Sequence, residues 1–272
     1  MRGNKMRFSV ALVVLVGFTN NVVADPIRVG GVGAATKLLP ILFAEFDSQE
    51  KLQVIPSLGS SGGLRALAEN AINIAVAGRP LNAEEIKLGM TVGATVRTPF
   101  VLVTSHPKPN GLKRAEVADI YKTPNPAWID GSPIRVILRP KSDSDTPVLI
   151  ASFPGMSAAL DAARARHDVL TAATDQDSAD SAERLQGSLA GSTLTQITTE
   201  QRNLRLIAID GVAPSLEALE IGTYPIGKTL HFVLPAQKHP VAERFLAFLL
   251  SPPGQAILRK TGNLVVSSPS GS

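Results

Sequence analysis

Apolar positions along this chain fall into short β-type runs separated by stretches with helical spacing, and glycine marks many of the junctions. Ile27 to Gly30 is the first such run, ending in Gly30, Gly31, Val32 and Gly33. Leu38, Leu39, Leu42, Phe43 and Phe46 then recur at helical spacing, which predicts a helix over Lys37 to Phe46. The grammar repeats at once, with a strand from Leu52 to Pro56, a glycine-serine loop from Gly59 to Gly63 and a helix from Leu64 to Asn70. Two strand, loop and helix units in succession imply a parallel sheet. Ile72 to Ala77 is a third run closed by Gly78, Arg79 and Pro80, and Asn82 is placed to cap a helix with Glu84 and Glu85 in its first turn.

A fourth strand is predicted over Arg97 to Ser105. Connections rich in proline follow (Pro107, Pro109, Pro124, Pro126, Pro133), and Ile134 to Leu138 makes another β run. Beyond it come an alanine-rich helix from Ser157 to Arg166, short strands near Val169 and over Leu204 to Ile209, and a returning strand at Leu230 to Leu234. Apolar stripes over Val241 to Leu250 and Gln255 to Thr261 predict two last helices that pack back on the beginning of the chain. The expected fold is α/β with two lobes, a hinge and an interlobe cleft: residues 25–104 with 224–272 form lobe 1, and residues 105–223 form lobe 2.

The N-terminus changes the picture of location. Arg2, Lys5 and Arg7 precede an apolar run of eleven residues from Phe8 to Phe18, with Val22 and Ala24 as small residues beyond it. That is the pattern of a secretory signal peptide, residues 1–24, cleaved after Ala24. The run is well short of the roughly 20 residues needed to span a bilayer as a helix. The expected product is therefore periplasmic, not membrane-embedded, and monomeric. Removing the segment leaves 24 basic against 23 acidic residues, so most of the formal charge of +4 belongs to it. Such a balance gives no basic footprint for nucleic acid. With no cysteine in the chain, disulfides, thiolate metal sites and a lipidated cysteine are excluded by composition. Trp128 is the only tryptophan, and so few flat contact surfaces argue against a sugar site.

Three turns carry candidate chemistry. Gly59-Ser60-Ser61-Gly62-Gly63 lies between a strand and a helix, where glycines allow close approach and unpaired helix N–H groups favour an anion. Ser60 and Ser61 add uncharged donors, with Gly62 beside them. The same residues also make an ordinary capped turn. Gly31-Val32-Gly33-Ala34-Ala35-Thr36 occupies the equivalent place in the preceding unit, so both turns should face one cleft outside the carboxyl ends of parallel strands. As a dinucleotide fingerprint it is incomplete, since Thr36 stands where a final Gly or Ala belongs. The third turn, Arg139 to Thr146, offers a guanidinium fork and the hydroxyls of Ser144 and Thr146, although an isolated Arg after a strand also commonly makes a surface ion pair.

The order of these motifs resembles that of the phosphate-binding proteins of ABC transporters, within the type 2 periplasmic binding fold, over nearly all of the chain beyond the signal. The resemblance rests on Gly31 to Pro40, Gly59 to Gly63, Gly78-Arg79-Pro80-Leu81, Trp128 to Gly131, Arg139 with Ser144 and Thr146, Tyr224-Pro225-Ile226, and Leu250 to Gln255. It implies an inorganic phosphate held by Ala34, Ala35 and Thr36, by Ser60 and Ser61, and by Arg139, Ser144 and Thr146, without any cofactor, and delivery to a transporter permease. Two departures stand out. Several members place an Asp in the third loop, where this chain has Gly78 followed by Arg79, and Asp145 replaces a common glycine. Asp143 or Asp145 would then either restore an acceptor for a protonated anion or repel the anion, which leaves phosphate against sulfate open.

Two other function classes fit parts of the sequence. Gly59 to Gly63 also matches the nucleophile elbow of serine hydrolases, with Ser61 central and Asp210 and His231 or His239 in the right chain order. It comes too early for the usual preceding strands, and no His-Gly-Gly segment accompanies it. A binding fold acting as a transport-independent anion sensor or scavenger is the third class. No metal is expected, because the four histidines lack ligand spacing and the acidic run Asp175, Asp177, Asp180 reads as a solvated helix start.

Overall fold

The computed structural model describes residues 25–46 and 48–266, and the predicted signal peptide and its cleavage site lie outside them. The first strands follow the predicted grammar. β1 (Ile27–Gly31), β2 (Leu52–Ile55) and β3 (Ile74–Ala77) lie parallel, with β1 between the other two. Between them run α1 (Leu38–Ala44) and α2 (Gly59–Ala68), and α3 (Ala83–Lys87) follows β3. Asn82 caps α3 as expected, and Glu85 reciprocates by accepting from the Asn82 N–H, so two otherwise unpaired donors are satisfied.

The glycine-serine segment departs from expectation, because α2 begins at Gly59 and the predicted loop is its first turn. Ser57 and Gly59, at φ 63° and 65°, turn the chain ahead of the helix. The helix can then press on the end of β1, since a Cβ on Gly63 would lie 2.9 Å from Gly31 Cα.

Strand β4 (Thr91–Thr104) starts six residues before the predicted strand and joins two halves of one sheet. From Thr91 to Pro99 it pairs antiparallel with β9 (Gly227–Leu234), and from Phe100 to Val103 it pairs antiparallel with β7 (Ser188–Thr193). Pro99, which has no N–H to donate, sits at the changeover, so the break in the ladder falls where a donor is missing anyway. The long element was hidden from periodicity because its second half is buried on both faces.

In the second half of the sheet β5 (Arg135–Leu138) runs parallel to β6 (Leu170–Thr171) and to β7. Around it lie α4 (Val117–Lys122), α5 (Asp145–Ser152), α6 (Met156–Arg164), α7 (Asp175–Arg184), α8 (Leu194–Thr199), β8 (Arg205–Leu206) and α9 (Leu216–Glu220). The chain then returns through β9 to α10 (Pro240–Leu250), α11 (Pro252–Lys260) and β10 (Leu264–Val265). The strand order is β2-β1-β3-β9-β4-β7-β5-β6, with β8 and β10 each pairing with β4. One core gathers Ile27, Leu38, Val76, Leu230 and Phe245 from both ends of the chain, and another gathers Phe100, Tyr121, Leu138, Phe153 and Leu189. Within the second core, Tyr224 donates from its buried hydroxyl to Phe100 O at 2.9 Å. Among the described residues, no helix is long and apolar enough to cross a membrane.

Gly31 is the tightest point of the first half: its φ is 139°, and a Cβ there would lie 2.0 Å from Val76 O. Gly31→Ala should therefore destabilise the fold by about 3 kcal/mol or more, combining backbone strain with overpacking. A urea midpoint equal to that of the unaltered protein would contradict this account.

Candidate oxyanion site

Four turns from the two halves of the sheet line one cavity of about 200 Å³: Val32 and Gly33 after β1, Ser57 to Gly62 after β2, Arg139 to Ser144 after β5, and Ala173 to Gln176 after β6. All four follow the carboxyl ends of their strands, the place where open α/β sheets bind ligands. No side chain caps the start of α2, so its first amides remain available to an anion. Ser60, Ser61 and Gly62 all line the cavity. The Ser60 hydroxyl accepts from Gly78 N–H at 2.9 Å, and the Ser61 hydroxyl accepts from Arg79 at 3.4 Å. Arg79 itself is committed to Glu85, which lies well below the ordinary carboxylate range because of that hydrogen bond.

The first loop faces the cavity differently from the expectation. Ala34 N–H donates to the Asp175 carboxylate at 3.0 Å, Ala35 N–H to Val32 O and Thr36 N–H to Gly33 O, so all three amides are already engaged. Gln176 donates to Gly33 O at 3.0 Å beside them. These contacts join the first loop to the start of α7, drawing the two halves of the sheet together at the cavity.

Arg139 is buried, 8 % exposed, and lines the cavity. Its guanidinium donates to Ala172 O at 2.8 Å and to Asp143 at 2.6 Å and lies 3.1 Å from an Asp175 oxygen, while its Nε has no partner among the described residues. Asp143 also accepts from Asp145 N–H at 2.8 Å, which fixes the turn. Ser144 lines the cavity, whereas Thr146 lies behind the turn, donating to Pro140 O at 3.3 Å and accepting from Arg164.

Sequence reasoning missed Lys228. This β9 residue is 1 % exposed and ion-paired with Asp145 at the start of α5. Gly78 opens its path, because a Cβ there would lie 2.8 Å from Lys228 Cε and 2.7 Å from Ser144 Oγ. Burial alone lowers the proton affinity of this ammonium. The carboxylates of Asp145, Asp175 and Asp143 reverse that and hold Lys228 above the ordinary lysine range. Burial pushes the Asp145 carboxyl up, against the pull of the same ammonium. Asp175 was also missed as a site residue: it is buried on Arg139 and Ala34 rather than solvated, and only Asp177 of that acidic run serves as a helix-capping group. With Thr229 and His231 beside it in β9, Lys228 gives no local sign of burial; lysine is almost never fully buried unless paired, and its partner lies far off in the chain.

Oxygens of Asp143, Asp145 and Asp175 lie within 4.8 Å of one another, the spacing of a metal site, but Arg139 and Lys228 already occupy their charge. The hydrolase constellation is not assembled. Ser61 contacts Arg79, His231 Nδ1 lies 3.4 Å from the Thr95 hydroxyl, His239 caps α10, and Asp210 accepts from Arg114 N–H.

A sheet in two halves, linked by antiparallel crossing strands and holding a polar cavity between them, defines a two-lobed binding protein. A family model described as a PBP superfamily domain matches residues 19–253, and the chain belongs to that superfamily, whose members are binding proteins. The fold is that of type 2 periplasmic binding proteins. It is similar to a Clostridium perfringens protein solved with bound phosphate (17 % identity, 90 % of this chain and 100 % of that one, TM-score 0.72). It is also similar to an ABC-type phosphate transport receptor from Vibrio cholerae (16 % identity, 89 % and 100 %, TM-score 0.58). A phosphate-binding protein from Stenotrophomonas maltophilia matches as well (13 % identity, 90 % and 91 %, TM-score 0.64). Comparison with curated proteins gives no match.

Lys228→Met should cost about 3–5 kcal/mol of stability by leaving Asp145 buried without its partner. Adding Asp145→Leu should recover most of that loss, because an apolar pair replaces an ionic one. Urea denaturation of the three proteins checks this, and a single variant as stable as the parent would contradict it.

Proposed function

We propose that this chain is an exported periplasmic solute-binding protein that closes on a small tetrahedral oxyanion, inorganic phosphate, and delivers it to an ABC transporter permease. The observation that carries the reading is the convergence of four turns, two from each half of the sheet, on one cavity of about 200 Å³. The fold, shared at low identity with a structure holding bound phosphate and with proteins described as a phosphate transport receptor and a phosphate-binding protein, agrees with it. We divide the lobes into residues 25–104 with 224–272 and residues 105–223, a boundary supported by the changeover of β4 from β9 to β7 near Pro99. Ligand binding draws the population toward the form in which both sides touch the anion.

Within this reading, the free amides of α2, Ser60, Ser61, Ser144 and Arg139 are the groups placed to meet the ligand. Ala34 would join them only by exchanging Asp175 for the anion, and Thr146 acts by holding the Arg139 turn. The charges decide which oxyanion is preferred. Two carboxylates, Asp143 and Asp175, line the cavity beside one cation, Arg139. An acceptor-rich site of this kind repels a fully deprotonated anion and welcomes one that brings a proton. Phosphate carries such a proton at neutral pH and sulfate does not.

Calorimetry on the protein lacking residues 1–24 tests the reading, with phosphate, sulfate and molybdate as titrants. Phosphate should bind saturably and stabilise the fold by about 2.7 kcal/mol at 100 times its dissociation constant. Sulfate should bind markedly more weakly, and Arg139→Ala should weaken phosphate binding by about 2–5 kcal/mol. A ligand-stripped sample that answers to none of these anions, or that prefers sulfate, would overturn the assignment. Ester hydrolysis abolished by Ser61→Ala would replace it with the hydrolase.

A further inference from the structure

Beside the oxyanion site lies a second cavity of about 650 Å³, more than three times the volume of the first and within the range that small organic ligands fill. The two adjoin at Ser144, which lines both, and at the contact between Ser61 and Arg79. The walls of the second cavity are of another kind. Pro147, Val148 and Ala151 on α5 face Pro225 and Ile226 at the approach to β9, giving apolar surface that an inorganic oxyanion cannot use.

Two arginines lie in the lining, and their situations differ. Arg79 is neutralised by Glu85 at 2.7 Å. Arg114 donates through Nε to Ser152 O at 2.5 Å, and its two terminal nitrogens have no acceptor or carboxylate partner among the described residues. The hydroxyls of Ser144 and Thr229 and the ring of His231, whose pKa burial lowers, complete the polar lining. The cavity thus holds one uncompensated positive charge beside an apolar wall.

We propose that this second cavity is a ligand site in its own right, taking a small organic monocarboxylate whose carboxylate pairs with the Arg114 fork and whose apolar body lies against Val148, Ala151 and Ile226. A planar guanidinium matches a carboxylate in two parallel hydrogen bonds. The single free cation calls for a single charge on the ligand, and the volume requires an organic body behind it. The assignment does not rest on phosphate being the ligand of the smaller cavity.

Calorimetric titration of the protein with hexanoate and with benzoate, each with and without saturating inorganic phosphate, tests it. At least one of the two should bind whether or not phosphate is present. Arg114→Gln should weaken that binding about tenfold or more, and so should Ala151→Trp, which fills the cavity from an exposed position. Phosphate affinity should stay within about twofold in Arg114→Gln, since Arg114 lines only the second cavity. Absence of binding by both carboxylates up to about 10 mM would overturn the proposal. So would carboxylate binding that phosphate displaces, or that neither substitution weakens.

Discussion

Two positive charges buried among three carboxylates form the constraint around which the rest of this structure is arranged. Lys228 and Arg139 are both removed from solvent, and Asp145, Asp143 and Asp175 supply the opposite charge that their burial requires. The five groups come from distant parts of the chain: β9, the turn after β5 that leads into α5, and the start of α7. The network can form only when these segments meet, so the charge requirement and the meeting of the two halves are one event. An unpaired charge left in that place costs several kcal/mol, which makes the arrangement close to all or none.

The crossing strands turn this local requirement into a global geometry. β4 pairs with β9 over its first part and with β7 over its second, and Lys228 projects from the β9 side of that ladder opposite Thr98. Its head can reach Asp145 only because Gly78 leaves the intervening space unfilled. Gly78 thus admits a lysine, and Asp145 supplies that lysine's partner. Both positions singled out in the sequence bear on the same buried ion pair.

Much of the site was legible before the coordinates. Ser60, Ser61, Gly62, Arg139, Asp143 and Ser144 reach a common cavity because each follows the carboxyl end of a strand, and strands reveal themselves by short apolar runs ended by glycine or a polar turn. Asp175 and Lys228 were not legible, for a physical reason. A carboxylate in an acidic run at a helix start looks solvated, and a lysine near a strand end looks like an edge residue; only the approach of a remote segment reverses each reading. The same holds for Ala34, whose amide belongs to the right turn but is taken by a side chain 141 residues away.

The sequence by itself determined the local alternation of strand and helix, the parallel order of β1, β2 and β3, and the donor-rich turns at their ends, because these depend on residue spacing and on glycine and serine within a few positions. Tertiary structure alone decided the length of β4, the start of α2 at Gly59, the pairing of Lys228 with Asp145 and the split of the cleft into a polar and an apolar cavity. Each of those outcomes arises from contact between segments far apart in the chain, where burial and charge compensation override what any short window of residues prefers.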